Sequence, residues 1–338
     1  MSQHQGQETS LLEIRDLEIQ YRRRRSDPVL KASNGVSLEM APGTTLGLVG
    51  ESGSGKSTIA KAILGLAPVH SGTIRLAGKD ITHLDRKDRR NLSRNLQVVF
   101  QDPNSSLNPY LTVGRSLAEP LQAHGEKDRA TIQRRVGEAL ERVGLGKEAA
   151  SRFPSQFSGG QRQRIAIARA LMLDPELVIC DEAVSALDLS VQAQILNLLL
   201  ELQKDQGLSY LFISHDISVV RFISDQVAVL YRGQVLETGA TLTVTENPGH
   251  PYTRELVNSA PVADPQVQRA RRETEQRHKA TQPSTTTVNA VTTERGCPFA
   301  SRCPFALEIC RAERPPLVPT GNDGFAACHR YPEWKALV

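Results

Sequence analysis

A glycine-rich stretch early in the chain has the spacing of a phosphate-binding loop. Residues 50–58 read GESGSGKST and match the pattern G-x-x-x-x-G-K-[ST]. Glycines let the backbone curl so that its N–H groups face a phosphate, and the N-terminus of a following helix adds positive charge. The lysine would reach the β- and γ-phosphates, and the hydroxyl after it would ligate Mg²⁺. We therefore predict a nucleotide site that contains Gly50, Ser52, Gly53, Ser54, Gly55, Lys56, Ser57 and Thr58.

Two adjacent acids follow an apolar run much later in the chain. Residues Leu177–Cys180 form a candidate buried strand, and Asp181 and Glu182 come directly after it. Asp181, at the end of the strand, would lie beside the Mg²⁺ shell, and Glu182 would polarise a water against the γ-phosphate. Two carboxylates at a strand end are also compatible with a solvated turn, and the phosphate loop favours the catalytic interpretation.

The segment FSGGQRQRIAIARAL (Phe157–Leu171) resembles the signature motif of ATP-binding-cassette (ABC) ATPases. In that family the start of this segment meets the γ-phosphate held by a partner protomer. A serine N-cap followed by glycines would present free N–H groups to an anion, which agrees with that role. The resemblance therefore implies a second nucleotide contact through Ser158, Gly159, Gly160 and Gln161.

The remaining motifs of the ABC family are present in the family's order. Gln101 in VVFQDP resembles the glutamine that contacts Mg²⁺ and senses the membrane subunit. Asp188 in SALD resembles the D-loop residue at the dimer interface, and His215 in LFISHD resembles the histidine that contacts the γ-phosphate. Tyr21 is the candidate aromatic ring that stacks on adenine. The resemblance covers about residues 11–245 and implies an ATPase that uses Mg²⁺, with Glu182, His215, Lys56 and Gln101 as catalytic groups.

Two further segments, 98–114 and 246–265, resemble the ATP-binding subunits of bacterial dipeptide/oligopeptide importers of the peptide/nickel family. This resemblance implies import of peptides and a second ABC ATPase subunit, which in this subfamily usually forms a heterodimer. It also implies two integral membrane permease subunits and, indirectly, a solute-binding protein. Nickel chelates, glutathione and sugars are alternative solutes. A non-transport ABC ATPase of DNA repair, chromosome structure or translation is the alternative class, although the chain has one cassette and no sustained heptads.

Four of the five cysteines are close together near the C-terminus. Cys297, Cys303, Cys310 and Cys328 have the spacing C-x5-C-x6-C-x17-C, which differs from paired C-x2-C zinc hairpins and from ferredoxin patterns. The importer resemblance implies a 4Fe–4S cluster in some members. Zinc and four unligated thiols stay open as alternatives, and His329 is a possible substitute ligand.

The elements that must position these residues alternate between strands and helices, which indicates an α/β fold with a largely parallel sheet. Buried strands are predicted at Thr45–Val49, Leu177–Cys180 and Tyr210–Ile213, and a helix follows through Val191–Leu202. The resemblance implies a P-loop ABC ATPase fold: a RecA-like core, an antiparallel β edge and a helical signature subdomain at 102–167. We expect the ATPase domain at 1–245, an extension and flexible linker at 246–295, and a separate cysteine-rich module at 296–338.

Composition limits the class of protein further. The 338 residues carry 41 basic and 37 acidic side chains, and a net charge of +4 is too small to indicate a nucleic-acid partner. No apolar run approaches the roughly 20 residues of a membrane-spanning helix, and the opening residues lack the pattern of a signal peptide. We therefore expect a cytosolic protein, or one that lies against a membrane through partners, and disulfides are not favoured in that compartment. The importer resemblance implies a peripheral position at the cytoplasmic face of the inner or plasma membrane.

Overall fold

A computed structural model describes residues 10–22, 29–102, 106–260, 295–321 and 323–337. Of the predicted extension and linker at 246–295, residues 261–294 lie outside the described residues. The strands are β1 (Leu12–Tyr21), β2 (Leu30–Met40), β3 (Thr45–Val49), β4 (Ser71–Leu76), β5 (Lys79–Asp80), β6 (Leu96–Val99), β7 (Leu177–Asp181), β8 (Ser209–Ser214), β9 (Gln226–Tyr231), β10 (Gln234–Ala240), β11 (Val318–Gly321) and β12 (Gly324–Ala326).

The helices lie between and around these strands. They are α1 (Lys56–Ile63), α2 (Arg86–Leu92), α3 (Val113–Ala123), α4 (Arg129–Arg142), α5 (Gly159–Ala170), α6 (Leu189–Gln206), α7 (Ile217–Ile223), α8 (Thr241–Glu246), α9 (Pro251–Ser259) and α10 (Glu308–Ala312). Within the described ranges, none of the helices is both long enough and apolar enough to span a bilayer.

The centre of the molecule is a parallel sheet. Strand β3 pairs in parallel with β8 and β9, while β7 pairs in parallel with β6 and β8, so the order is β9-β3-β8-β7-β6. The central strands β3 and β8 are buried along their whole length and mostly apolar, because both faces of the sheet are covered. The carboxyl ends of β3, β7 and β8 meet at one edge, and this edge receives the phosphate loop, Asp181 and His215.

Alternate residues of each strand enter two hydrophobic clusters, one on each face of the sheet. On β7, Leu177 and Ile179 pack on the face that is covered by α1 and the smaller sheet, whose order is β2-β1-β4-β5. Val178 and Cys180 pack on the opposite face, with α6, α7 and the helical insertion. The predicted α/β fold with an antiparallel β edge is therefore confirmed.

The helical insertion contains α3, α4 and two short 3₁₀ helices before α5 begins. Helix α4 starts at Asp128, whose carboxylate accepts hydrogen bonds from the N–H groups of Ala130 and Thr131. Its apolar positions, Ile132, Val136 and Leu140, recur at helical spacing and are buried. Nothing in this part of the chain, as far as it is described, forms a strand, as the sequence predicts.

The cysteine-rich segment is not a separate module, and this part of the predicted fold was wrong. Its hairpin, β11–β12, extends the main sheet because β12 pairs antiparallel with β10 through Glu237–Ala326 and Thr238–Phe325. Phe299 is fully buried in the same hydrophobic cluster as the helical insertion. The indole N–H of Trp334 donates to the Gly249 carbonyl at 2.9 Å. A piece with few large apolar residues of its own completes its core by packing on the cassette.

Candidate nucleotide site and cysteine-lined cavity

The phosphate loop connects β3 to α1 through a tightly packed turn. Gly55, the N-cap of α1, has a φ of +105°, and a Cβ there would lie 2.3 Å from the Ala32 carbonyl oxygen. A Cβ at Gly50 would lie 2.1 Å from the carbonyl oxygen of Leu230. Only glycine fits these two positions without displacing backbone, so the spacing of the motif follows from packing as well as from phosphate binding.

Lys56 lies across the loop that it follows. Its Nζ donates to the carbonyl oxygens of Gly50 at 2.7 Å and Glu51 at 3.0 Å, and to Ser54 Oγ at 3.3 Å. Burial lowers the pKa of Lys56, while the carboxylates of Glu182, Asp181 and Glu51 act in the opposite direction. The hydrogen-bond partners of the buried Lys56 ammonium group are two backbone carbonyl oxygens and one hydroxyl, all uncharged. Such an ammonium group is well suited to bind a phosphate oxygen.

Ser57 and Asp181 meet at the predicted Mg²⁺ position. Ser57 Oγ donates to Asp181 Oδ1 at 2.9 Å, although the two residues are far apart in sequence. Burial raises the pKa of Asp181, and the hydrogen bond from Ser57 lowers it. A hydroxyl and a carboxylate side by side are the hard oxygen ligands that Mg²⁺ takes together with substrate phosphates.

Glu182 has a left-handed backbone conformation, with φ of +51°. Its N–H donates to the Ile213 carbonyl at 3.0 Å, and its own carbonyl accepts from the Ser185 N–H and hydroxyl. These bonds fix the turn between β7 and the predicted D-loop. Glu182 Oε1 lies 3.5 Å from His215 Nδ1, so the structure brings together the two groups that the sequence assigns to catalysis.

The signature segment begins α5 in the predicted manner. Ser158 Oγ accepts from the Gln161 N–H at 3.3 Å, and Gln161 Oε1 accepts from the Ser158 N–H at 3.0 Å, which makes a reciprocal capping box. A Cβ at Gly160 would lie 2.4 Å from Val191 Cγ1 in the first turn of α6. Asp188 caps α6 by accepting from the Val191 N–H at 3.0 Å. The signature and D-loop segments are therefore neighbours.

The two other predicted site residues are on the surface. Gln101 is exposed just after β6, beside the partly exposed Phe100. Tyr21 ends β1 and is 38% exposed, which leaves its ring accessible. Their roles toward Mg²⁺ and adenine stay predictions.

Two residues that contact the phosphate loop, Tyr252 and Arg302, were missed by the sequence reasoning. The Glu51 N–H donates to Tyr252 Oη at 3.0 Å, and Arg302 Nη1 contacts both carboxylate oxygens of Glu51 at 2.8 and 2.9 Å. No local pattern signals these pairs, because the partners come from α9 and from the cysteine-rich segment.

The four cysteines of that segment line one cavity, together with apolar side chains and His250. Backbone N–H groups point at their sulfurs: those of Phe299 and Ala300 at Cys297, of Phe305 at Cys303 and of Arg330 and Tyr331 at Cys328. The Leu307 N–H lies 3.5 Å from Cys310 Sγ. Burial raises the pKa of Cys297 to about 11 and of Cys303 to about 12.

His250 closes the same cavity on the side of the cassette. Its Nδ1 accepts from the Tyr252 N–H at 3.0 Å, so its Nε2 carries the proton and lies 3.9 Å from Cys297 Sγ. Across the described residues, no set of three or more His, Cys, Asp or Glu side chains is arranged to hold a metal ion. This finding supports neither the predicted 4Fe–4S cluster nor the alternative zinc ion.

The fold and the nucleotide site define an ABC-type ATPase, and comparison with known families and structures agrees. The family model described as "ABC transporter" matches residues 33–185. The protein cbiO1 from Clostridium perfringens, described as part of the ABC transporter complex cbiONQ, is 27% identical. The match covers 79% of this chain and all of that chain, with a TM-score of 0.65. The dimeric cassette MJ0796 bound to ADP and Pi is 28% identical, with 68% and 98% coverage and a TM-score of 0.61.

The C-terminal part of the chain narrows the assignment. A second family model, "Oligopeptide/dipeptide transporter, C-terminal region", matches residues 236–310. A putative peptide import ATP-binding protein of Brucella abortus is 48% identical over 319 residues, which cover 94% of this chain and 92% of that protein. The oligopeptide transport ATP-binding protein OppF of Escherichia coli is 44% identical over 315 residues, with 91% and 92% coverage. The chain belongs to the ABC transporter family of ATP-binding proteins, in the group with the oligopeptide/dipeptide transporter C-terminal region.

Proposed function

We propose that this chain binds and hydrolyses ATP to energise the import of peptides through a membrane ABC transporter. The observation that carries the proposal is the convergence of Lys56, Ser57, Asp181, Glu182 and His215 at one sheet edge in a chain whose C-terminal part matches oligopeptide transporters. Relatives named for peptide import cover nearly the whole chain and support the solute class over nickel chelates, glutathione or sugars.

In the mechanism we propose, two cassettes close head to tail and enclose ATP between the phosphate loop of one and the signature segment of the other. Lys56 and the N–H groups at the start of α5 neutralise charge on the γ-phosphate. Ser57, Asp181 and Gln101 would hold Mg²⁺, and Tyr21 would stack on adenine. Asp188 would lie at the interface between the cassettes, next to the signature segment of its own chain.

Glu182 and His215 divide the chemistry between them. Glu182 accepts a proton from the attacking water as the bond to the γ-phosphorus forms, and ADP leaves as the β–γ bridging bond breaks. His215, 3.5 Å from the Glu182 carboxylate, holds the geometry of the γ-phosphate and of this carboxylate. Closure around ATP and reopening after hydrolysis would drive the attached membrane subunits.

The partners that we propose are those of the importer family that this chain resembles. We propose a heterodimer with a second ABC ATPase subunit, two integral membrane permeases, and a solute-binding protein that acts on the permeases. The chain would lie peripherally at the cytoplasmic face of the membrane, docked near Gln101 and the exposed Phe100. Residues 102–167 would act as the arm that transmits movement from this surface to the signature segment.

Transport by the whole complex tests the solute and the partners. The chain is co-expressed with candidate permeases and the second ATPase, and ATP-dependent uptake of a labelled tripeptide into vesicles is compared with uptake of a nickel chelate, glutathione and a sugar. Peptide-stimulated uptake that requires Glu182 is expected. Uptake of another solute alone, or copurification with nucleic acid instead of membrane subunits, would reject the proposal.

We further propose that Cys297, Cys303, Cys310 and Cys328 hold a 4Fe–4S cluster, which would give the segment a metal-stabilised fold and a redox-active group. Two observations support this fit: the four sulfurs face one cavity, and backbone N–H groups point at them, as around the thiolates of iron–sulfur centres. His329 Nε2 donates to the Glu313 carbonyl at 3.1 Å, so it already has a partner outside the thiol set.

Anaerobic purification tests the cluster. A brown protein with absorbance at about 400 nm and stoichiometric iron and sulfide is expected. Cys303→Ser should lose the colour, while Cys180→Ser should keep it, because Cys180 is buried in β7 away from the cavity. Colourless protein that contains zinc, or contains neither metal, would reject the cluster.

A further inference from the structure

Glu51 is the residue where the cysteine-rich segment meets the nucleotide site. It is the first variable position of the phosphate loop, and each of its polar groups has a partner. Its carbonyl accepts from Lys56 Nζ at 3.0 Å and its N–H donates to Tyr252 Oη at 3.0 Å. Its carboxylate accepts two hydrogen bonds from Arg302 Nη1. Two of these three contacts therefore come from outside the ATPase core.

Arg302 is fixed on this carboxylate by its surroundings. Its second terminal nitrogen donates to Glu255 on α9, and its guanidinium lies 5.5 Å from the centroid of the Phe299 ring and 5.8 Å from that of Tyr231. One guanidinium nitrogen contacts both oxygens of the Glu51 carboxylate, the other is paired with Glu255, and the group lies near two rings, which leaves it little rotamer freedom. Although the Arg302 and Glu51 side chains are 39% and 43% exposed, these contacts together hold the Arg302 charge against the loop.

The charge of Glu51 matters because of what the loop binds. The Glu51 carboxylate lies close enough to Lys56 to act on its ammonium group, and Lys56 is the side chain that meets the phosphates. An unpaired carboxylate there would compete for Lys56 and repel a polyanionic ligand. A loosened Glu51 would also release the N–H held by Tyr252 and spoil the preorganised backbone of the loop.

We propose that Arg302, together with Tyr252, is a positioning residue for ATP: it neutralises and fixes Glu51, so that the C-terminal segment sets the affinity of the phosphate loop. The proposal rests on ATP binding at the loop and goes beyond it by assigning a role to a residue outside every ABC motif. It requires no particular occupant of the cysteine-lined cavity.

The test measures the Kd of a fluorescent ATP analogue with the full-length chain. Arg302→Met keeps the stem that packs on the rings and removes the charge, and we expect Kd to rise about 3- to 5-fold. The rise should be larger at low salt, and KM for ATP should follow Kd while kcat of the assembled ATPase stays constant. The matched control is Arg134→Met, which removes an exposed Arg134–Glu138 pair in the helical insertion.

Two further variants separate positioning from folding. In Glu51→Gln/Arg302→Met the carboxylate that needs the counter-charge is gone, so most of the lost affinity should return. Tyr252→Phe keeps the buried ring and removes the acceptor for the Glu51 N–H, and it should also raise Kd.

A Kd that is unchanged in both Arg302→Met and Tyr252→Phe would overturn the proposal. A Glu51→Gln/Arg302→Met variant whose Kd is as high as that of Arg302→Met would also overturn it. If Arg302→Met fails to fold, Tyr252→Phe alone decides. If the unmodified chain does not bind the analogue at all, the ATP site itself is wrong, which is a different result.

Discussion

Glu182 occupies a backbone conformation that costs a non-glycine residue about 1–3 kcal/mol. The fold stabilises this conformation through hydrogen bonds: the Glu182 N–H donates to the Ile213 carbonyl on β8, and the Glu182 carbonyl accepts from Ser185. These bonds turn the side chain out of the strand direction and toward His215. These bonds therefore fix the distance between the two groups to which we assign hydrolysis.

Glu182→Gln removes the proton acceptor and keeps the shape. We expect the hydrolysis rate to fall about 100-fold or more, because a positioned general base contributes about 10²–10⁴. ATP binding should persist, and the ATP-bound dimer should accumulate in size-exclusion chromatography. Hydrolysis at the rate of the unmodified chain would remove Glu182 from the mechanism.

Lys56→Ala acts on binding rather than on turnover. Hydrogen bonds to charged groups contribute about 1.5–3 kcal/mol, so nucleotide affinity should fall about 10- to 100-fold in a fluorescent-nucleotide titration. Lys204→Ala is the matched control, because it removes an exposed lysine from α6. Equal losses in the two variants would mean that general charge, not the loop, attracts the nucleotide.

Sequence motifs predicted those site residues whose chemistry depends on the spacing of neighbouring positions in the chain. The loop of Lys56 and Ser57 and the strand end at Asp181 needed only a few consecutive positions. Arg302 and Tyr252 could not be predicted, because they approach Glu51 through tertiary packing and carry no spacing of their own. The left-handed conformation of Glu182 could not be predicted either, because it depends on a hydrogen bond to Ile213 on another strand.

Helix α5 tests the assignment of the signature segment. Ser158→Ala removes the N-cap and should cost about 1 kcal/mol of stability. Because the same serine would face the γ-phosphate bound to the partner cassette, ATP binding by one chain should persist while ATP-dependent dimerisation and hydrolysis are lost.

Asp128→Ala is the control for Ser158→Ala, since it also removes a helix N-cap, that of α4. It should leave dimerisation intact when both variants are compared by light scattering with ATP. Normal dimerisation and hydrolysis in Ser158→Ala would show that the signature assignment is wrong.

Strand β10 holds the loop before α9 through one buried acid. Glu237 is 1% exposed and accepts hydrogen bonds from the N–H groups of Gly249 and His250. Burial raises the pKa of Glu237 from 4.5 to about 7, against the hydrogen bonds of the loop and the charge of Lys335. The folded state therefore holds a proton on Glu237 that the unfolded state releases above pH 4.5.

The contribution of Glu237 to the free energy of unfolding should consequently decrease as pH rises from 4.5 to 7 and then level off. At about 1.4 kcal/mol per pKa unit, the loss is about 3 kcal/mol. Glu237→Gln removes the titrating group but leaves only one acceptor oxygen for the two loop N–H groups. Its free energy of unfolding should therefore lack this decrease of about 3 kcal/mol between pH 4.5 and pH 7 in urea unfolding, whatever its value at low pH. Parallel pH profiles would contradict the raised pKa.

Helices and strands were predictable where the sequence has a continuous apolar run or apolar residues at helical spacing. Strand β3 has the predicted bounds, Thr45–Val49, and β7 and β8 extend the predicted runs by one residue or one at each end. The helix predicted after β7 is α6. The pairing of β10 with β12 was not predictable, because Gly324–Ala326 is too short to show alternation.

The whole molecule depends on the packing of the cysteine-rich segment against the cassette. Phe299 lies 5.5 Å from Tyr231 and 5.3 Å from Tyr252 between ring centroids, so three rings from three parts of the chain share one cluster. A piece that is anchored in this way cannot unfold without exposing part of the cassette core. The molecule should behave as one cooperative unit.

Phe299→Ala should lower the free energy of unfolding by about 3–5 kcal/mol, the usual cost of a buried phenylalanine. Phe325→Ala is the control on the same segment, because Phe325 is 43% exposed and should cost about 0.5 kcal/mol or less. Chemical denaturation of both variants should show a single transition. A separate early transition of the segment, with the cassette unaffected, would contradict a shared core.

The expectation of a separate module failed for a physical reason. Composition between the cassette and the cysteines suggests a linker, and a linker suggests independent pieces. Whether two pieces share a core depends on surfaces that only the tertiary structure brings together, here the rings around Phe299 and the edge of β10.

The pairing of β12 on β10 also has a consequence for biosynthesis. Strand β10 is translated long before β12, so a growing chain presents the unpaired backbone edge of β10 while ribosomes complete the later residues. Open strand edges recruit other strands and promote aggregation. Premature termination before Gly324 would leave that edge permanently uncovered, and chaperone demand should therefore be highest late in translation.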